Sequence, residues 1–210
     1  MKLILIRHGE TEWVREGRYQ GTSNVPLNQR GFSQGKALAR ALKCEKPVAI
    51  YSSELSRARD TARLIAAGFK KRLRIDKRLN EVSFGDWEGS KHSVIYERFP
   101  RVCDRWYRGV RSSRPPGGES LSSLERRIGS FLNETTRTFR KDKDTVIVVA
   151  HGGPIRMFLV HALNLSLQSF WSLRVDPASM SMIRWTKHVR EVSLLNSQAH
   201  LDGLMSHRMD

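Results

Sequence analysis

Two histidines in this chain each follow directly on a short apolar run, the position from which a side chain can do chemistry on a bound ligand. His8 follows Leu3-Ile4-Leu5-Ile6-Arg7, and His151 follows Val146-Ile147-Val148-Val149-Ala150. In open α/β sheets the ligand crevice lies beyond the carboxyl ends of the strands, so both residues fall where a site belongs. Arg7 adjoins the first histidine, and Arg57 sits shortly after a third apolar run that ends at Tyr51. Guanidinium forks match phosphate oxygens, and the glycines Gly9, Gly152 and Gly153 leave room for a close approach. A neutral imidazole is a competent nucleophile toward phosphorus, and neighbouring arginines keep it neutral by disfavouring imidazolium. With Glu81 added, the two histidines also read as ligands for zinc or iron. Arg7 and Arg57 oppose that reading, because their charge repels a cation and attracts an anion. No metal is expected.

The elements that must position these residues follow from periodicity. Strands are predicted at Lys2 to Ile6, Pro47 to Ser52, Thr145 to Ala150, Ser179 to Trp185 and Val189 to Leu195, with a further extended piece at Leu73 to Val82. Helical spacing of apolar residues marks Gly31 to Leu42, Glu54 to Ala67, Leu121 to Phe139 and Pro154 to Leu163. Their alternation implies an α/β fold, a three-layer sandwich with a mainly parallel central sheet flanked by helices. A single domain is expected over 1–195, with a helical cap segment at about 90–118 in which Pro100 opens a second helix, and a flexible tail over 196–210. Ser112 to Gly118 reads as a loop.

Composition narrows the partners. The 210 residues carry a formal net charge of +16, which raises the local concentration of anions of any kind. Arg98, Arg101, Arg105, Arg108, Arg111 and Arg114 concentrate part of that charge. They fit a solvated helix face, a funnel for anionic substrates, or a basic module that binds RNA or an acidic protein with its catalytic groups idle. Trp87 and Trp106 read as packing rather than base stacking. Two cysteines, Cys44 and Cys103, are too few for a disulfide framework, and no run approaches the roughly 20 apolar residues that span a membrane. A cytoplasmic protein without a membrane anchor is expected.

Taken together, the blocks resemble the histidine phosphatase superfamily, also called phosphoglycerate mutase-like. Arg7-His8-Gly9-Glu10-Thr11-Glu12-Trp13 looks like its opening loop, followed by Gln20-Gly21, Pro26-Leu27, Gly31 and Gln34. Ser52-Ser53-Glu54-Leu55-Ser56-Arg57-Ala58 with Thr61-Ala62, then Leu79-Asn80-Glu81 with Phe84 to Gly89, and finally Val149-Ala150-His151-Gly152-Gly153, are similar to the blocks that follow, in family order. The resemblance implies that His8 is the nucleophile that becomes phosphorylated. It implies that Arg7, Arg57 and His151 hold the phosphoryl group, that Glu81 donates the proton to the leaving oxygen, and that hydrolysis needs no cofactor. Gln20, Gly21, Thr22 and Gly152 are the expected substrate-binding positions. Two departures stand out, Val14 where many members have Asn and Asn24 where an acidic residue is usual. Thr22 or Ser23 is the candidate replacement for the lost amide donor.

Glu81 to His151 is compact, whereas cofactor-dependent mutases of the family usually carry a longer insertion there. Phosphatase is therefore the first reading and 2,3-bisphosphoglycerate-dependent phosphoglycerate mutase the alternative. Phe84 to Gly89 and Pro116-Gly117-Gly118-Glu119-Ser120 look most like the branch of α-ribazole phosphatases and broad phosphomonoesterases. The expected partner is a small anionic phosphorylated substrate, α-ribazole phosphate among the candidates. Nucleic acid is disfavoured but not excluded by the basic charge, and a homodimer is left open.

Overall fold

The computed structural model describes residues 1–202. In chain order its elements are β1 (Lys2–Arg7), α1 (Glu12–Arg15), α2 (Gln29–Ala41), β2 (Pro47–Ser52), α3 (Ser56–Ala66) and β3 (Leu73–Ile75). Then come α4 (His92–Arg98), α5 (Pro100–Tyr107), α6 (Leu121–Thr138), β4 (Thr145–Ala150), α7 (Gly152–Leu163), β5 (Met180–Trp185) and β6 (Arg190–Ser197). The strands form one sheet in the order β3-β2-β4-β1-β5-β6. β1 to β4 are mutually parallel, β5 pairs antiparallel with β1, and β6 pairs antiparallel with β5. The α/β sandwich with a mainly parallel sheet is therefore the observed architecture.

Strand alternation divides the core between the two faces of the sheet, because successive side chains point to opposite sides. Leu3, Leu5, Val146, Val148 and Ala150 face one core with Ile128, Phe131 and Phe158 of α6 and α7. Ile4, Ile6, Ile147 and Val149 face the other with Leu38, Ala58, Ala62 and Ile65 of α2 and α3. Between Lys2 and Arg7 of β1, and after Thr145 of β4, these central strands are wholly apolar, since both faces are covered. Truncating one of these buried Leu or Ile residues to Ala should cost about 2–5 kcal/mol.

Three expectations need correction. Only Leu73–Ile75 of the segment Leu73 to Val82 is a strand. The Asp76 carboxylate then accepts the Arg78 N–H at 2.9 Å and turns the chain into a short 3-10 segment, Lys77–Leu79. The segment from Asn196 is not loose as far as Leu201: β6 runs to Ser197, the Gln198 amide donates to the Pro177 carbonyl at 2.8 Å, and Leu201 is fully buried. Its polar side chains secure a loop instead of facing solvent. Residues 203–210 of the expected tail lie outside the described residues. Finally, the missing side chain of Gly9 makes room for protein. A Cβ there would lie 2.5 Å from the Gly31 carbonyl oxygen, so α2 can begin directly against the loop after β1 only with glycine at both positions.

Candidate active site

In-register pairing of Arg7 with Ala150 places the next residues of the two parallel strands, His8 and His151, side by side. Their ring centroids are 5.0 Å apart, and both residues are buried. The His8 ring is fixed by one bond, Nδ1 to the Gly9 carbonyl at 2.7 Å. A carbonyl only accepts, so Nδ1 is assigned the proton and the lone pair of neutral His8 lies on Nε2. Burial holds its pKa well below the usual histidine value, and the charges of Arg57 and Arg7 push it further down. The predicted arginine effect is thus present but second to desolvation.

Arg57 belongs to the buried stripe of α3 formed with Ala58, Thr61, Ala62 and Ile65. Nη1 and Nη2 donate to the carbonyls of Ser23 and Gly21, each at 2.7 Å. That loop is tied in turn by Glu88, whose carboxylate accepts the N–H groups of Thr22 and Ser23 at 2.9 Å and the Ser23 hydroxyl at 2.6 Å. Arg7 donates from Nη1 to the Val175 carbonyl at 2.7 Å. Each guanidinium is therefore aimed by backbone oxygens, and its Nε–H is buried without a hydrogen-bond partner among the described residues.

His151 is the N-cap of α7. Its Nε2 lies 2.7 Å from the Ser53 hydroxyl, which also accepts the Leu55 N–H at 3.3 Å. With that hydroxyl as donor, the ring proton sits on Nδ1, which is buried and has no partner among the described residues. Burial first, then Arg57, holds this histidine neutral as well. Buried donors without acceptors are costly unless a ligand satisfies them. Three of them beside a neutral imidazole make a socket for a tetrahedral anion, aided by the positive end of α7.

Glu81 lines the open side of the cleft. Its Oε1 accepts the N–H groups of Val82 at 2.9 Å and Gly153 at 3.0 Å, which leaves Oε2 toward Gly152. A Cβ on Gly153 would lie 2.5 Å from Oε1, so a side chain there would displace the Glu81 carboxylate.

The structure thus gathers His8, Arg7, Arg57, His151 and Glu81 at one place. His8, Arg57 and His151 are buried and outside the lining of a cleft of about 1060 Å3, which Arg7, Glu81, Gln20, Gly21 and Gly152 line. Thr22 does not. Its side chain is exposed and, like that of Ser23, donates to Glu88, so neither replaces the missing amide. Val14 contributes an apolar surface to the cleft, and Asn24 keeps an acceptor role by taking the Ser56 N–H at 2.8 Å. None of Arg98, Arg101, Arg105, Arg108, Arg111 and Arg114 lines the cleft, and all are exposed. Trp87 and Trp106 are fully buried packing residues. Among the described residues no His, Cys, Asp and Glu group of three or more is placed to hold a metal, and no helix is long and apolar enough to cross a membrane.

Sequence reasoning missed Glu88, Arg127 and Arg156. Glu88 sat unremarked inside a quoted block. Arg156, which lines the cleft, is hidden within the apolar run of α7.

The same architecture recurs in known proteins. The model of the histidine phosphatase superfamily (branch 1) matches residues 3–198. Phosphoserine phosphatase 1 of Hydrogenobacter thermophilus is 37% identical over 201 residues, covering 96% of this chain and 94% of the relative. Adenosylcobalamin/alpha-ribazole phosphatase of Salmonella typhimurium is 32% identical over 203 residues, 95% of this chain and 98% of the relative. The crystal structure of the alpha-ribazole phosphatase of Shigella flexneri superposes with a TM-score of 0.82 at 29% identity, covering 94% of this chain and 96% of that one.

Proposed function

The chain belongs to the histidine phosphatase superfamily, and from that premise we propose that it hydrolyses a small phosphomonoester through a phosphohistidine on His8. The reading is supported by one juxtaposition: His8, whose Nε2 keeps its lone pair, lies 5.0 Å from the His151 ring and within the field of Arg57 and Arg7, and Arg7 Nε, Arg57 Nε and His151 Nδ1 are buried without a partner among the described residues.

In the first step Nε2 attacks phosphorus, the ester P–O bond breaks, and the leaving oxygen takes a proton from Glu81. The arginines and His151 stabilise charge on the three equatorial oxygens. In the second step water attacks the phosphohistidine, gives its proton to Glu81, and releases inorganic phosphate with His8 restored. Burial of His8 serves the first step, because an imidazolium has no lone pair with which to attack.

The finer substrate is a choice between classes represented among the relatives, phosphoserine and α-ribazole phosphate, and both fit a phosphomonoester hydrolase. Incubation with a phosphomonoester should leave an acid-labile, base-stable phosphoryl group on His8, and His8→Ala should abolish both label and turnover. Near wild-type hydrolysis by His8→Ala would overturn the proposal. Efficient interconversion of 3- and 2-phosphoglycerate, primed by 2,3-bisphosphoglycerate, would replace it with the mutase reading.

A further inference from the structure

Arg156 has no part in the chemistry assigned above, although it lines the same cleft. It is the one charged residue of α7, among the buried side chains of Ile155, Met157, Phe158 and Leu159. Its Nε donates to the Leu173 carbonyl at 2.7 Å, and the guanidinium lies 5.1 Å from the centre of the Trp171 ring. Trp171 is itself fixed by donating Nε1 to the Trp106 carbonyl at 2.9 Å. One hydrogen bond and one ring face hold the fork in a single orientation, while its terminal nitrogens bond no described residue. Burial and the like charge of Arg7 draw its pKa down to about 10, against the opposing effect of Glu81. Its terminal nitrogens thus remain available to an anion in the cleft.

Its position says which part of a substrate it faces. A Cβ placed on Gly152 would lie 3.0 Å from Arg156 Nη1 and 3.7 Å from Glu81 Oε2, so these two groups flank the same point of the cleft wall. Glu81 meets the ester oxygen in the proposed reaction. Arg156 therefore faces the leaving group, a few bonds beyond that oxygen. A carboxylate is planar and singly charged, and it pairs with both arms of the fork. A second phosphate dianion would bring twice that charge against the Asp176 carboxylate, which also lines the cleft.

We propose that Arg156 selects small phosphomonoesters that carry a carboxylate close to the ester oxygen, an inference that rests on the phosphatase reading above. The test compares substrates that differ in the carboxylate alone: O-phosphoserine with O-phosphoethanolamine, and 3-phosphoglycerate with glycerol 3-phosphate. p-Nitrophenyl phosphate, which lacks a carboxylate, is the control. The wild-type protein should favour the carboxylate member of each pair in kcat/KM by about 10- to 100-fold, the range for a hydrogen bond to a charged group. Arg156→Met should bring that ratio near one while changing p-nitrophenyl phosphate hydrolysis by less than about threefold. Arg156→Lys, which keeps the charge and most of the packing, should retain part of the preference and covers the case in which the Met variant does not fold. Hydrolysis of p-nitrophenyl phosphate with no carboxylate preference in the wild type would overturn this inference alone. So would an unchanged preference in both variants, or an equal loss on all substrates, which would place Arg156 on the phosphoryl group. Failure of the wild-type protein to hydrolyse any of these esters would overturn the phosphatase reading as well.

Discussion

Arg127 holds Glu81 by its backbone, donating from Nη2 to the Glu81 carbonyl at 3.2 Å. The same guanidinium donates from Nη1 to the carbonyls of Arg78 and Asn80, each at 2.6 Å, and takes the Glu119 carboxylate through two bonds of 2.8 Å. One side chain of α6 thus fixes the path of the loop that presents the acid. Arg127→Met would leave three carbonyls and the Glu119 carboxylate without this donor. A displacement of about 1 Å at a reacting group costs on the order of 100-fold in rate. The loss should be concentrated on alkyl phosphates, whose leaving oxygen needs a proton, and smaller on p-nitrophenyl phosphate. Arg127→Lys should not restore the rate, because one ammonium cannot replace the fork. Equal losses on both substrates would mean that Arg127 supports the fold and not the placement of Glu81.

Acid should destabilise this protein from the mid-pH range downward. His8 and His151 are buried with pKa values held well below the ordinary value near 6.5, whereas in the unfolded chain both titrate near it. Below about pH 6.5 the unfolded state therefore binds more protons, and stability falls by about 1.4 kcal/mol per pH unit for each histidine until the folded pKa is reached. Urea unfolding in phosphate-free buffers between pH 8 and 5 should show this slope, reduced by about one proton in His8→Asn. An unchanged slope in that variant would mean that His8 titrates normally in the folded protein.

How far the sequence carried this reading depends on which physical signal each residue leaves. His8, His151 and Arg57 were legible because apolar strands and helical periodicity set them at strand ends, where the parallel register then joined them. Arg156 and Arg127 were not, since a single arginine within an amphipathic or apolar helix looks the same whether it clamps carbonyls or faces solvent. Glu88 gave no signal because its partners, Thr22 and Ser23, are distant in sequence. The fate of Asn196 to Leu201 was hidden by composition: polar residues that fasten a loop to the sheet resemble polar residues in water.

The exposed arginines from Arg98 to Arg114 act only at a distance, since none reaches the cleft. Raising ionic strength from about 0.01 to 0.15 M shortens the Debye length from about 30 to 8 Å. It should lower kcat/KM for anionic substrates with little effect on kcat. Neutralising Arg101 and Arg105 together should weaken that dependence. A salt profile identical to wild type would leave them as solvated surface residues, and tight RNA binding by a protein without hydrolytic activity would favour a binding module.

Thorough chelation should leave the hydrolysis rate unchanged, because in the proposed reaction Arg7 and Arg57 supply the positive charge otherwise provided by a metal and neutral His151 adds a hydrogen-bond donor. Loss of activity with chelator and its recovery with zinc or manganese would reverse that assignment.

The sharpest prediction concerns the two oxygens of Glu81. Oε1 is occupied by the N–H groups of Val82 and Gly153, so in the proposed reaction Oε2, beside Gly152, is the oxygen expected to carry the proton to the leaving group. Glu81→Gln places an amide there that has no acidic proton to give. For a poor alkyl leaving group the phosphorylation step should slow by about 100- to 10,000-fold, the range typical of general acid catalysis. p-Nitrophenolate departs readily as an anion, so phosphohistidine formation from its ester should suffer far less. Steady-state turnover cannot show the difference, because Glu81 then serves as base toward water and its loss slows dephosphorylation with every substrate. The pre-steady-state burst isolates the first step. A burst that is preserved with p-nitrophenyl phosphate and lost with the alkyl ester identifies Glu81 as the proton donor. Equal burst losses with both would mean that Glu81 only positions the phosphoryl group and that the proton comes from elsewhere.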